Sequence, residues 1–321
     1  MNIVIGPNEA GQRLDKFLRK YLKDVPLSAI FKGIRKGQVK VNGKKAKEKY
    51  SLQEGDELTI NISSNEPKKV NFIKVNADLK ITYEDENMLL VEKKPNLLVH
   101  SDSNNGEPTL TDMVLSYLTE KGDYEPDKEI TFTPALCNRL DRNTSGIVIF
   151  GKNFESLKLL NEMIRERKIK KYYCALVKGK IKDGVHEAYI LKDEENNVSK
   201  IYDTPVRDCK KIAMEVKTVQ TDGLFSFIEI DLLTGRSHQL RAHLSHLGNP
   251  IIGDGKYGDK KLNSFFYNKF GLDYQYLYAF KVTFTDCKDK LKYMENKTIA
   301  ESLPPIFKKI KKDVFKFRVD N

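Results

Sequence analysis

Apolar residues recur at helical spacing at Leu14, Phe17, Leu18, Tyr21 and Leu22, with Arg13, Lys16, Arg19, Lys20 and Lys23 between them, which predicts a basic amphipathic helix. A second helix is expected to take Ser28 as its cap, to bury Ile30, Phe31 and Ile34, and to stop with Gly37 just past its end. Val39 and Val41 then lead into Asn42-Gly43, a two-residue hairpin signal, and Leu58-Thr59-Ile60 closes the segment. Residues 1–62 are therefore read as one small domain. The run SSNEPKK from Ser63 to Lys69 is polar, contains a proline and has no period, so residues 63–76 are read as a linker.

The pattern changes beyond it. ITYEDENMLLVEKKP reads as strand, turn and strand, and Leu110, Met113, Val114, Tyr117 and Leu118 share one helical face. A strand is predicted at 147–150 and a helix from Phe154 to Arg167 carrying Leu157, Leu160, Met163 and Ile164. Further strands are predicted at Tyr173–Val177 and Phe225–Leu232. Strands and helices without regular βαβ repetition predict an α+β domain over residues 77–290, built on a mixed, largely antiparallel sheet. From Ile306 the lysines 308, 309, 311, 312 and 316 and Arg318 predict a frayed helix in a basic tail, residues 291–321, that adds phosphate contacts.

Length supports this division, since 321 residues exceed one ordinary domain and fall short of three. Cys137, Cys174, Cys209 and Cys287 form no C-x-x-C pair and are read as reduced thiols. The N-terminus lacks a basic start followed by a long apolar run, and no apolar stretch reaches membrane length, so a soluble cytoplasmic protein is expected. Charge adds more. Between Gly11 and Lys49 ten Lys and three Arg stand against Asp15, Asp24 and Glu48, nearly the whole +11 excess of the chain. Such a cluster predicts a polyanionic partner, because phosphates bind clustered Lys and Arg with release of counterions.

The tripeptide RLD occurs twice. At Arg13-Leu14-Asp15 it opens the basic helix, whereas at Arg139-Leu140-Asp141 it lies in PALCNRLDRNTSGIVIF, between a proline and a turn-forming Asn143-Thr144-Ser145-Gly146. Asp141 is thus placed in a loop between strands, flanked by Arg139 and Arg142, whose charges would keep it ionised. That setting suits a catalytic carboxylate, and it suits a turn-capping one as well. Farther on, Ser237 is expected to cap a helix from His238 to Leu247 with Leu240, Leu244 and Leu247 on its buried face and Arg241 one residue round from them. His238, His243 and His246 lie on different sides of that helix without an acidic or Cys partner, which argues against a metal. Gly253-Asp254-Gly255-Lys256-Tyr257-Gly258 fits G-x-G-x-x-G, but only Ile251-Ile252 precede it and no apolar helix follows, which argues against a dinucleotide site.

Three segments together carry a resemblance. NRLDRNTSG is similar to the signature loop of the RluA-type pseudouridine synthases that modify large-subunit ribosomal RNA, with Asn138 where that family usually has His. KKYYCALVKG at 170–179 and LLTGRSHQLRAHLSHLGNPIIGDGKYG at 232–258 resemble the family's next two motifs in order and spacing. The segment from RLDKFLRKYL through VKVNGK to GDEL resembles an S-four-type RNA-binding domain. The resemblance implies an isomerase, needing neither cofactor nor metal, that cuts the glycosidic bond of a uridine, turns the base over and rejoins it through carbon five. It implies Asp141 as the essential group, Arg241 as its basic partner and Tyr173 stacked on the flipped base, with Tyr172 pointing the other way on the strand. Arg139 would fill the place the base leaves. Arg142, Arg236 and Leu240 would complete the substrate contacts, and Arg13, Lys16, Arg35 and Lys36 would hold RNA. A monomer is expected. Two rival readings stand beside this one: a non-catalytic RNA-binding ribosome-assembly factor of the same fold, and an N-glycosidase that releases uracil.

Overall fold

The computed structural model describes residues 1–63, 72–76, 78–100 and 106–316. Most of the expected linker and Arg318 lie outside the described residues. The small domain runs β1 (Asn2–Val4), α1 (Leu14–Tyr21), α2 (Leu27–Arg35), β2 (Val39–Val41), β3 (Lys44–Lys45) and β4 (Glu57–Ile60). Its four strands form an antiparallel sheet ordered β1-β4-β2-β3. Leu14, Phe17 and Leu18 of α1 and Ile30 and Ile34 of α2 pack on Val39, Val41, Leu58 and Ile60, the apolar positions that the two periodicities select. Helix α2 starts two residues earlier than expected. Pro26, with its fixed φ, occupies the cap position without a side-chain hydrogen bond, so Ser28 lies inside the first turn. Gly37, at φ +72°, follows the last cap residue as anticipated.

The large domain contains β5 (Lys80–Glu84), β6 (Met88–Lys93), α3 (Leu110–Lys121), β7 (Ala135–Leu136), β8 (Ser145–Gly151), α4 (Phe154–Arg165), β9 (Ile169–Lys178), β10 (Gly184–Asp193), β11 (Val198–Tyr202), β12 (Lys210–Thr221) and β13 (Phe225–Asp231). It continues with α5 (Gln239–His246), α6 (Lys260–Phe270), β14 (Leu277–Phe284), a 3-10 turn (Asp289–Met294), β15 (Thr298–Ala300) and α7 (Pro305–Val314). One sheet of eleven strands runs β11-β10-β12-β13-β9-β14-β8-β6-β5, with β15 beside β14 and β7 beside β8. Every pairing is antiparallel except β8 with β14. The fold is the expected mixed, largely antiparallel α+β sheet.

Alternation along β9 divides the core. Tyr173, Ala175 and Val177 face a cluster with Ile228, Ile230, Leu110 and Val114 of α3, and Leu240 and Leu244 of α5. Cys174 and Leu176 face the opposite side, among Phe227, Phe266 of α6, Tyr276, Tyr278 and Phe307 and Ile310 of α7. The parallel β8–β14 contact depends on Gly146. It adopts φ +124°, and a Cβ there would lie 2.3 Å from the carbonyl oxygen of Ala279, so no other residue permits the two backbones to approach.

The expected tail needs correction. Residues 291–316 do not form a frayed tail: β15 pairs with β14, Leu291 and Met294 are buried, and α7 seats Phe307 and Ile310 in the core. Lysines fill the outer positions of α7, which dilutes its 3.6-residue signal. The small domain also contacts the large one directly. Asn8 Nδ2 donates to Glu129 Oε1 at 2.7 Å, Thr131 N donates to Glu9 Oε1 at 3.0 Å, and Ile130 packs against the small domain's core. No helix among the described residues is long and apolar enough to cross a membrane.

The seating of α7 is testable. Phe307 stacks on Tyr276 at 3.8 Å between centroids, and its carbonyl accepts the Tyr276 hydroxyl at 2.7 Å. Phe307→Ala is expected to destabilise the large domain by about 3–5 kcal/mol, measured by urea unfolding; a midpoint equal to the parent's would mean that the helix is peripheral after all.

Candidate active site

Asp141 sits in the loop between β7 and β8, and both ends of that loop are fixed by backbone contacts. Before it, buried Asn138 donates from Nδ2 to the Ile147 carbonyl at 3.3 Å and accepts the Ile149 amide at 2.8 Å, tying the loop to β8. After it, Thr144 N donates to the Asp141 carbonyl at 3.0 Å, and the Thr144 hydroxyl accepts from Gln275 Nε2 at 2.9 Å. An Asn in place of His at 138 therefore completes two strand hydrogen bonds by itself.

The carboxylate faces Arg241 of α5, whose Nη1 donates to Asp141 Oδ2 at 2.9 Å. Arg241 is buried, and its remaining edge forms a bidentate pair with Asp254, Nε to Oδ2 at 2.7 Å and Nη2 to Oδ1 at 2.9 Å. Burial works against the Arg241 charge, but the two aspartates outweigh it and hold its proton more firmly than usual. Asp254 has no exposed side-chain surface. Burial alone would raise its pKa; Arg241 and the amides of Tyr257 and Lys256 overcome that and keep it below the ordinary range. Asp141 differs: its side chain is 26% exposed, and among the described residues only Arg241 donates to it. One carboxylate oxygen is thereby anchored, and the other accepts no hydrogen bond among the described residues.

The motif G-x-G-x-x-G thus has a role that its spacing did not suggest. Gly253, at φ +80°, brings the chain so near the Tyr274 carbonyl that a Cβ would lie 2.2 Å from it, and the turn so made delivers Asp254 beneath Arg241. A charged residue inside a tight glycine turn at the end of the third motif was the available signal. Lys93, at the end of β6, was missed for a different reason, being one of two adjacent lysines. It is fully buried and donates to the carbonyls of Lys94 (2.9 Å), Leu97 (2.7 Å) and Arg142 (2.7 Å), which clamps the loop just past Asp141. Burial pushes its pKa down to about 7, while the Asp141 charge acts in the opposite sense. Only the ammonium form has a hydrogen for each of the three carbonyls.

Tyr173 is 5% exposed and packs beside Leu140 and Leu240 under the loop; burial first, then Asp141, raises its pKa, so the phenol stays protonated. Tyr172 does point the other way, with Lys281 Nζ 4.2 Å above its ring. Leu240 is buried in that same cluster. Arg139 and Arg236 are exposed. Arg142 is turned from Asp141 toward Glu107, at 3.0 Å, so the charge that faces the carboxylate comes from a residue a hundred positions on and not from its sequence neighbours. In the small domain Lys16, Arg35 and Lys36 are exposed, whereas Arg13 is chelated by Asp15 at 2.7 and 3.0 Å. Ser237 caps nothing: His238, at φ +54°, occupies the cap of α5, its Nδ1 2.9 Å from the Tyr257 hydroxyl. Leu247 lies past the helix end and is exposed. No group of three or more His, Cys, Asp or Glu among the described residues is placed to hold a metal.

The site is thus a partly exposed carboxylate anchored by a buried arginine, with a buried tyrosine in the cluster beneath the same loop. The RNA pseudouridylate synthase profile matches residues 87–246 and the S4 domain profile residues 12–58. A protein of Mycoplasma capricolum named an uncharacterized RNA pseudouridine synthase is 34% identical over 93% of this chain and 96% of its own. The ribosomal large subunit pseudouridine synthase C of Buchnera aphidicola is 34% identical over 97% of this chain and 96% of its own. In fold, the structure of human RNA pseudouridylate synthase domain containing 4 superposes with a TM-score of 0.58 at 22% identity, covering 75% of this chain and 95% of that one. The chain belongs to the RNA pseudouridylate synthase family, and it is an isomerase that converts uridine in RNA to pseudouridine.

Removing Asp254 would leave Arg241 buried with a single partner. Asp254→Ala is expected to cost roughly 3–5 kcal/mol of stability, read from urea unfolding. An unchanged unfolding midpoint would contradict the role of Asp254 as the fixed counter-charge.

Proposed function

We propose that this enzyme isomerises particular uridines of large-subunit ribosomal RNA, in the cytoplasm and as a monomer, with Asp141 as the reacting carboxylate. The observation that carries this reading is the division of labour at Arg241: Asp254 neutralises the guanidinium permanently, so its bond to Asp141 orients the reactive group instead of merely balancing a charge. A carboxylate suits the reaction, since glycosyl chemistry commonly stabilises or traps a positively charged sugar or base with Asp or Glu. Isomerisation needs no activated water, and a single such group suffices.

The remaining residues take roles that agree with their surroundings. Arg139, exposed on the loop two residues before Asp141, would enter the RNA stack when the target base leaves it. Tyr173 would lie under the flipped uracil, its protonated phenol offering a flat and uncharged floor. Arg236 and Leu240 would border the pocket, and Arg142, bound to Glu107, would shape its rim. Lys16, Arg35 and Lys36 would bind phosphates, positioning RNA without choosing the reaction. Ribosomal RNA as substrate is supported by the names of relatives such as the Buchnera protein and by the basic small domain. A binding protein of the same fold would have no use for a half-open carboxylate held this way, which disfavours the assembly-factor reading.

Asp141→Asn keeps the shape and removes the charge. Pseudouridine formation on ribosomal RNA should fall by roughly a thousandfold or more, with RNA affinity within a few-fold of the parent's. Turnover near the parent's would refute the assignment, and free uracil released by the parent would point to glycosidase chemistry.

A further inference from the structure

Helix α7 offers a surface that the chemistry at Asp141 leaves unused. Phe307 and Ile310 are buried, so the helix turns its other side outward with Lys308, Lys309, Lys312 and Lys316 exposed on it. Lysines 308, 312 and 316 follow one another at four-residue steps and form a row, with Lys309 beside it. The single acid of the helix, Asp313, is already bound by Lys269 at 2.5 Å and touches Lys316 at 3.4 Å. Lys308 donates only to the Ser302 hydroxyl, at 3.1 Å, and Lys309 and Lys312 have no acidic partner among the described residues. This differs from Lys128, Lys192, Lys211 and Lys292 elsewhere in the large domain, each of which pairs with a carboxylate.

The row borders a groove. Gln220 at the end of β12, Leu303, Lys308, Lys311, Lys312, Phe315 and Lys316 line a depression of about 430 Å³. Lys311 lies half-buried in its wall, its Nζ 3.8 Å from the centre of the Phe227 ring. Next to it, Lys269 bridges from Asp313 to the exposed Phe265, 5.7 Å from that ring. A row of largely uncompensated cations along a groove matches a nucleic-acid backbone, which carries charge at regular spacing. An acidic peptide would be matched equally by charge, but this enzyme's substrate is RNA, which the protein already gathers with its other domain.

The position of the groove says what kind of RNA. Tyr173 and the active-site loop lie on one face of the sheet, and Phe227, Phe307 and α7 lie on the other. An RNA that touches both Asp141 and α7 must therefore pass round the sheet from one face to the other, which a large folded RNA can do more readily than a short stem-loop. We propose that the outer face of α7 is a second, remote phosphate-binding surface that grips RNA flanking the modified element. The proposal rests on RNA being the substrate.

The test is a fourfold variant, K308Q/K309Q/K312Q/K316Q, which leaves Lys311 and the buried face intact. A control, K128Q/K192Q/K211Q/K292Q, loses the same charge at paired sites. Binding and single-turnover pseudouridine formation are measured over a salt series on a long ribosomal RNA fragment and on a minimal stem-loop. The α7 variant should bind the long RNA about tenfold or more weakly, with a salt slope reduced by roughly 2–3. It should match the parent on the stem-loop and at saturating RNA, and the control should stay within about twofold of the parent. Equal affinity and slope in parent and variant overturn the proposal, as does an equal loss in the control, which would assign the effect to net charge. Equal losses on the stem-loop and the long RNA would also overturn it, by placing α7 near the reaction. A parent that modifies no ribosomal RNA would instead fail the underlying reading and is seen in the same experiment.

Discussion

A buried guanidinium needs compensation on every side, and the way Arg241 obtains it organises the large domain. Its charge is removed from water in the middle of a hydrophobic cluster, where an unpaired cation would cost several kcal/mol. Asp254 supplies a bidentate partner with no exposed surface, and Asp141 supplies a second carboxylate that reaches solvent. Two aspartates around one arginine would ordinarily be equivalent. Here they are made unequal by backbone: the amides of Lys256 and Tyr257 commit Asp254 to the interior, while among the described residues only Arg241 donates to the Asp141 carboxylate. The Tyr257 ring, 5.3 Å from the guanidinium carbon, closes the remaining side with its electron-rich face.

Much of this was legible in the chain. Period-two alternation put Tyr172 and Tyr173 on opposite faces of β9, turn residues on either side put Asp141 in a loop, and helical spacing put Arg241 at the edge of an apolar stripe. These features are local, and local periodicity carries them. Asp254 was not legible because its importance is a matter of contact across thirteen residues and a glycine turn that also fits a nucleotide fingerprint. The pairing of Asp141 with Arg142 suggested by adjacency failed for the same reason, since nearness in sequence does not direct a side chain. Lys93 is the strongest case. Nothing distinguishes it from Lys94 in the sequence, yet Lys93 is the last residue of a strand buried on both faces, whereas Lys94 lies past its end and is exposed.

Helix boundaries failed where proline or strain displaced the expected cap. Ser28 and Ser237 are good capping residues in isolation, but Pro26 and a left-handed His238 hold the positions from which a side chain could cap. Charge patterning misled at the end of the chain, where five lysines in nine residues suggested a solvated tail. Helix α7 instead covers one face of the sheet with its few apolar residues, its lysines extending outward from a well-packed base.

The single parallel pairing, β8 against β14, has a consequence for the life of the molecule. The strand that follows the Asp141 loop waits for a neighbour more than a hundred residues downstream, and Thr144 waits for Gln275 in the same stretch. On a ribosome the small domain can close as soon as its own sixty-odd residues emerge, whereas the loop acquires the last of its supports only after Gln275 and β14 have been made. Contacts so distant in sequence also slow the search for the native arrangement. The nascent chain therefore gains the ability to hold RNA well before it gains a finished reactive centre, and binding and catalysis mature at separate times.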